Sequence, residues 1–175
     1  MKRLTLNVSV AATLAVVSLQ AQNLLSSDVK AAYQPVKINI LKAAEKMPEP
    51  EYAFKPTPDV RTFGQLIAHV AETQMGMCGV ARGEPRRGDA ALKTSKADLV
   101  AALKASNDVC DGVYNTITDA DGATIVKMFG REKPKLGVLN FNIAHDNEMY
   151  GTMAVYLRLK GIVPPSSEGA AGRGR

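Results

Sequence analysis

An all-α four-helix bundle is the fold that the sequence predicts, with helices two and three parallel, and three observations predict it. Four segments carry apolar residues at helical spacing, and no run alternates as a half-buried strand does. The last segment carries two apolar rows, and a helix with two such rows packs against two partners. The two cysteines come level only if the second and third helices run in the same direction.

The first helix places Val36, Ile40, Ala43, Ala44 and Met47 on one face and ends at Met47-Pro48. Pro35 lacks a backbone donor, so the helix either kinks there or begins there with Pro35 in its first turn. The second opens with Thr62-Phe63-Gly64-Gln65, a capping-box pattern, and buries Phe63, Leu66, Ile67, Val70, Met77 and Ala81 along one stripe. The third opens at Ser95, with Asp98 in the first turn where a carboxylate favours the helix dipole. Its stripe is Leu99, Leu103, Ser106, Cys110, Val113 and Ile117. The fourth runs from about Lys135 to Lys160. Leu136, Leu139, Ile143, Tyr150, Met153 and Leu157 form one row, and Val138, Phe141, Met149 and Val155 the other.

Cys78 and Cys110 each lie roughly sixteen residues into their helices. In an antiparallel hairpin they would differ in height by about 16 Å, whereas a disulfide needs α-carbons within about 7 Å. In a parallel pair they are nearly level, and the Gly83–Thr94 connection is long enough to return along the helix. The expectation is therefore a Cys78–Cys110 bridge. The alternative is two small buried apolar side chains.

Before the first helix, Lys2 and Arg3 precede an apolar run from Leu4 to Leu19, with small residues around Ala21. This reads as an export signal over residues 1–21, rather than as a membrane anchor, because the run is short and interrupted by Thr5, Asn7 and Ser9. The protein is then exported, periplasmic or secreted, where a disulfide persists. Residues 22–165 form the bundle, and the Gly/Ala/Ser/Arg-rich segment 166–175 reads as a disordered tail.

The chain has 22 basic and 17 acidic residues. Without Lys2 and Arg3 the balance is 20 against 17, a net charge of about +3. No basic stripe interleaved with aromatics is present, and the Arg86-Arg87 pair reads as a solvated loop, so nucleic acid is excluded as a partner. After signal cleavage nothing calls for a membrane. A small-molecule ligand and a homo-oligomer both stay open. No phosphate-cradling glycine loop, paired-cysteine knuckle or nucleophile elbow occurs. Thr118-Asp119-Ala120-Asp121-Gly122 has a calcium-loop flavour, but Ala123 and Gly130 stand where oxygen ligands belong. It reads as a turn between helices three and four.

The Phe54-Lys55-Pro56-Thr57-Pro58 lead-in, the Leu66-Ile67-Ala68-His69 helix, the His145 helix and its Tyr156-Leu157-Arg158-Leu159-Lys160-Gly161 ending resemble the DinB-like (damage-inducible DinB/YfiT-type) family. The resemblance covers about Ser27 to Pro165. It implies a four-helix bundle of up-down-down-up order, which agrees with the parallel pair inferred from the cysteines. It also implies a metal site of three histidines, one on helix two and two spaced by four on helix four.

His69 and His145 match two of these positions, and they are the only histidines in the chain. Met149 occupies the third, and Thr152 stands where a glutamine often follows Tyr-Gly. A thioether is a poor ligand for zinc, nickel or iron, and an open divalent site normally takes three nitrogen or oxygen ligands. Glu148, three residues after His145, is the candidate third ligand or base, or else an exposed or orienting residue. Glu72 stands in the same relation to His69. A soft copper(I) site using His69, His145 and Met149 is another reading, against which packing is the plainer explanation of Met149.

Catalytic residues and an organic cofactor cannot be named from the sequence. Two functions are carried forward. The first is a non-catalytic binding bundle with a degenerate metal site. The alternative is a divalent-metal enzyme, Zn, Ni or Fe, of the thiol-transferase or hydrolase type that the resemblance implies, using His69 and His145.

Overall fold

The computed structural model describes residues 23–168; the segment 1–21 expected to be an export signal lies outside the described residues. Four long helices dominate: α1 (Leu24–Lys46), α2 (Phe63–Arg82), α3 (Lys96–Thr116) and α4 (Lys135–Leu159). All the residues assigned above to the stripes of the first three helices are buried. α1 starts at Leu24, and Pro35 lies inside it, between the buried residues Tyr33 and Val36. Its N-terminus is served from afar, because the Asp119 carboxylate accepts the backbone N–H groups of Leu25 (3.1 Å) and Ser26 (2.7 Å).

The start of α2 follows from its sequence. The Thr62 hydroxyl accepts the Gln65 N–H, and the Gln65 side chain accepts the Thr62 N–H. Thr62→Ala should therefore lower stability by about 1 kcal/mol, read as a shifted urea midpoint with an unchanged slope. An unaltered midpoint would mean that the box is redundant here. α3 is capped in the same way by Ser95, which accepts the Asp98 N–H.

Helix directions follow from which residues meet. α2 and α3 touch at Gln74–Ser106 and Cys78–Cys110, a constant offset of 32 residues, so they are parallel. α1 and α3 meet at Tyr33–Tyr114, Lys37–Asp111 and Glu45–Lys104, so they are antiparallel. α2 and α4 meet at Phe63–Tyr156, His69–His145 and Gln74–Asp146, again antiparallel. The order is up-down-down-up. Cys78 and Cys110 form a disulfide with α-carbons 5.1 Å apart. Between α2 and α3 the chain turns at Gly83, in the left-handed region at φ +85°, and runs back along α2. At Gly79 a Cβ would lie 2.8 Å from the Glu84 carbonyl and 2.9 Å from the Arg86 nitrogen, so only glycine admits the returning strand of chain.

The structure differs from expectation in four places. The turn at 118–122 is a helical turn, Asp119–Gly122, in which the Thr118 hydroxyl accepts the Asp121 N–H. It is followed by an unexpected antiparallel hairpin, Ile125–Met128 (β1) against Arg131–Pro134 (β2), turning at Phe129-Gly130 with φ +50° and +76°. Strands of four residues are too short to show an alternation, and only Met128 of the eight is fully buried. On α4, Val138 and Met149 are buried, but Phe141 and Val155 are exposed, so the second apolar row is only partly a packing face. The packed chain also extends past Pro165. Ser166 bonds to the Tyr150 hydroxyl and Glu168 pairs with Lys46 at 2.7 Å, so residues 166–168 are ordered and only 169–175 of the expected tail lie outside the described residues.

Candidate metal centre

His69 comes from the second turn of α2 and His145 from the middle of α4. The antiparallel crossing sets them face to face, with Nε2 atoms 3.1 Å apart and rings inclined at 67°. At that distance one ring donates its Nε2 proton to the other. It is also short enough for both nitrogens to reach a single ion at bond lengths of about 2.0–2.1 Å. The two imidazoles that the sequence singles out are thus brought together.

Burial, reinforced by the positive charge of Arg61 and by His145, holds His69 below the usual histidine range, against the opposing pull of Glu148. It is therefore neutral at neutral pH. His69 lines an open cleft of about 360 Å³ with Arg61, Gln65, Glu72 and Lys93. Glu72 turns toward the returning loop, where it accepts the Ala91 N–H at 3.3 Å.

The other sequence-named residues do not complete a divalent site of three nitrogen or oxygen ligands. Glu148 is exposed, and its charge reaches His69 only through space. Met149, one turn beyond His145, is buried with 8% of its surface exposed. Among the described residues no three His, Cys, Asp or Glu side chains stand where they could hold one ion. The donors present therefore do not fit the three-histidine divalent site that the resemblance implies.

Behind His145 lies a polar network that periodicity did not reveal. Asp146 is fully buried, and its Oδ2 accepts hydrogen bonds from Gln74 (2.9 Å) and Asn142 (3.0 Å). Ser106 donates to Gln74 Oε1 at 2.8 Å, and the Tyr114 hydroxyl, 3.4 Å from Asn142, donates to the Leu139 carbonyl. Burial pushes the Asp146 carboxyl up, opposed by His145, Gln74 and Asn142. Its Oδ1 has no hydrogen-bond partner and stands 3.6 Å from His145 Nδ1. Thr73 Oγ1 lies 3.5 Å from the same nitrogen. Asn142 and Asp146 were visible as polar residues four apart inside the apolar row Leu139–Ile143–Tyr150, the one signal that could have found them.

Fold and site together define a class: a disulfide-bridged up-down-down-up bundle that carries a histidine pair between its second and fourth helices. The chain belongs to the DinB superfamily, to which residues 38–153 match. Its structure is similar to the crystal structure of a DinB-like protein from Bacillus cereus ATCC 10987, with a TM-score of 0.67 and 21% identity, covering 78% of this chain and 93% of that one. It is also similar to a DinB-like protein from Bacillus subtilis, with a TM-score of 0.63 and 18% identity, covering 77% and 92%. At these identities the likeness carries the fold alone. No curated protein matches the chain.

Proposed function

We propose that this protein is an exported, non-catalytic member of the superfamily that binds a small ligand in the cleft between α2 and the returning loop, where His69 opens to solvent, its divalent-metal site having degenerated. The carrying observation is the His69–His145 pair: two nitrogens 3.1 Å apart that can satisfy each other, with no third nitrogen or oxygen ligand among the described residues. Two imidazoles alone hold a divalent ion weakly. The disulfide supports export, because such a bond persists in oxidising compartments.

Metal content tests the reading. After equilibration with Zn(II), Ni(II) or Fe(II) and desalting, the natural chain should retain far less than one ion. Met149→His should retain about one, since it restores a third nitrogen. A natural chain that keeps stoichiometric divalent metal, and loses it on His69→Ala, would overturn the reading. It would favour the second one, a divalent-metal-dependent enzyme with His69 and His145 as ligands and Glu148 recruited. What favours that reading now is that both Nε2 atoms lie within reach of a single ion.

A further inference from the structure

We propose that His69, His145 and Met149 together form a site for a soft monovalent cation of the copper(I) or silver(I) class. The proposal rests on the non-catalytic reading above and names the ligand class that the altered site would take.

The geometry comes first. Met149 follows His145 by four residues and so stands on the same side of α4, one turn further on. Along the antiparallel seam, His145 is level with His69, and Tyr156 is level with Phe63. By this register Met149 falls between these levels, which sets it opposite the turn of α2 that joins Phe63 to His69. It is buried, while His69 of the imidazole pair lines an open cleft. An enclosed ligand with an entry path is what a metal site requires.

Chemistry then selects the ion. Imidazole nitrogen suits many metals, but a thioether binds d¹⁰ monovalent ions well and zinc, nickel or iron poorly. Three neutral donors leave a monovalent ion with a single net charge. Arg61 and Glu72 both line the cleft and Asp146 stands behind His145, so it is the softness of the donors, not net charge, that selects the ion. Both cysteines are tied up in the Cys78–Cys110 bridge, so neither offers a thiolate to compete for a soft ion.

Silver(I) is the practical probe, because it needs no reductant and leaves the disulfide closed. Calorimetric titration of the purified protein with silver nitrate, in buffer free of chloride and thiols, should show one ion bound per chain. Met149→Leu keeps the packing volume and should keep the fold, yet it should weaken silver binding by at least about tenfold, as should His69→Ala. In protein labelled with ¹³C at the methionine methyl groups, the Met149 resonance should move on silver addition, a readout that needs no variant. A natural chain that takes up no silver overturns the proposal. So does a Met149→Leu protein that binds as tightly as the natural one, or a Met149 methyl signal that does not move. Each of these results leaves the non-catalytic reading standing. Stoichiometric zinc retention sinks that reading instead, whatever silver does.

Discussion

Replacing both Cys78 and Cys110 by alanine will lower stability by about 3–4 kcal/mol, because the bridge closes a long loop in the unfolded chain. The two residues are 32 apart in sequence, and both are fully buried between α2 and α3. For a domain of this size the loss corresponds to a fall of roughly 10 °C in unfolding temperature. The parallel arrangement of the two helices makes the effect more than local. No short hairpin holds α2 against α3, since the connecting segment must travel the length of a helix before α3 begins. Thermal unfolding of the natural and double-alanine proteins, without reductant, measures the difference. Equal midpoints would show that packing alone sets the register of the pair.

Raising the pH above 10 will destabilise the protein steeply and unfold it within a few pH units. Tyr33, Tyr52 and Tyr114 are buried, with 0%, 4% and 2% of their surface exposed. Burial is the main cause that pushes all three phenols well above the ordinary tyrosine range, with Asp111 adding to it at Tyr33 and Glu49 at Tyr52. Above pH 10 the unfolded chain gives up these protons while the native chain keeps them. The native state then binds more protons, so stability falls as pH rises. The slope is about 1.4 kcal/mol per pH unit for each tyrosine, or about 4 kcal/mol for the three. Against a total stability of roughly 5–15 kcal/mol, the fold should end within about one to four pH units. Tyrosinate absorbance from these residues should appear together with the loss of helical circular dichroism. Smooth titration near pH 10 with the helices intact would refute the burial argument. Tyr33 and Tyr114 stack with ring centroids 4.0 Å apart, so ionising either one disturbs the other.

The long helices were legible because each signal was local or periodic. Thr62 and Ser95 announce α2 and α3, and the apolar stripes declare the faces that became the core. The cysteines carried the one long-range fact, the parallel pair. What escaped the sequence depends on contacts between segments far apart in the chain. The hairpin of Ile125–Pro134 exists because Met128 finds a buried seat, not because its residues alternate. Asp146 is buried because Gln74 and Asn142 donate to it, and nothing in the order of α4 announces Gln74 on another helix. At the site, sequence placed His69 and His145 on two helices, and the antiparallel crossing alone set their distance. Neither route adds a third histidine or carboxylate to the pair.

The up-down-down-up order also separates the two ends of the described chain. α1 begins beside Asp119 at the hairpin end, and α4 finishes at the other end, where Tyr156 bonds to the Arg61 carbonyl. A helix of 23 residues spans about 35 Å. α1 therefore begins at one pole of the molecule, while Arg61 and the mouth of the cleft lie toward the opposite pole, so the helix start and the cleft are held a helix length apart.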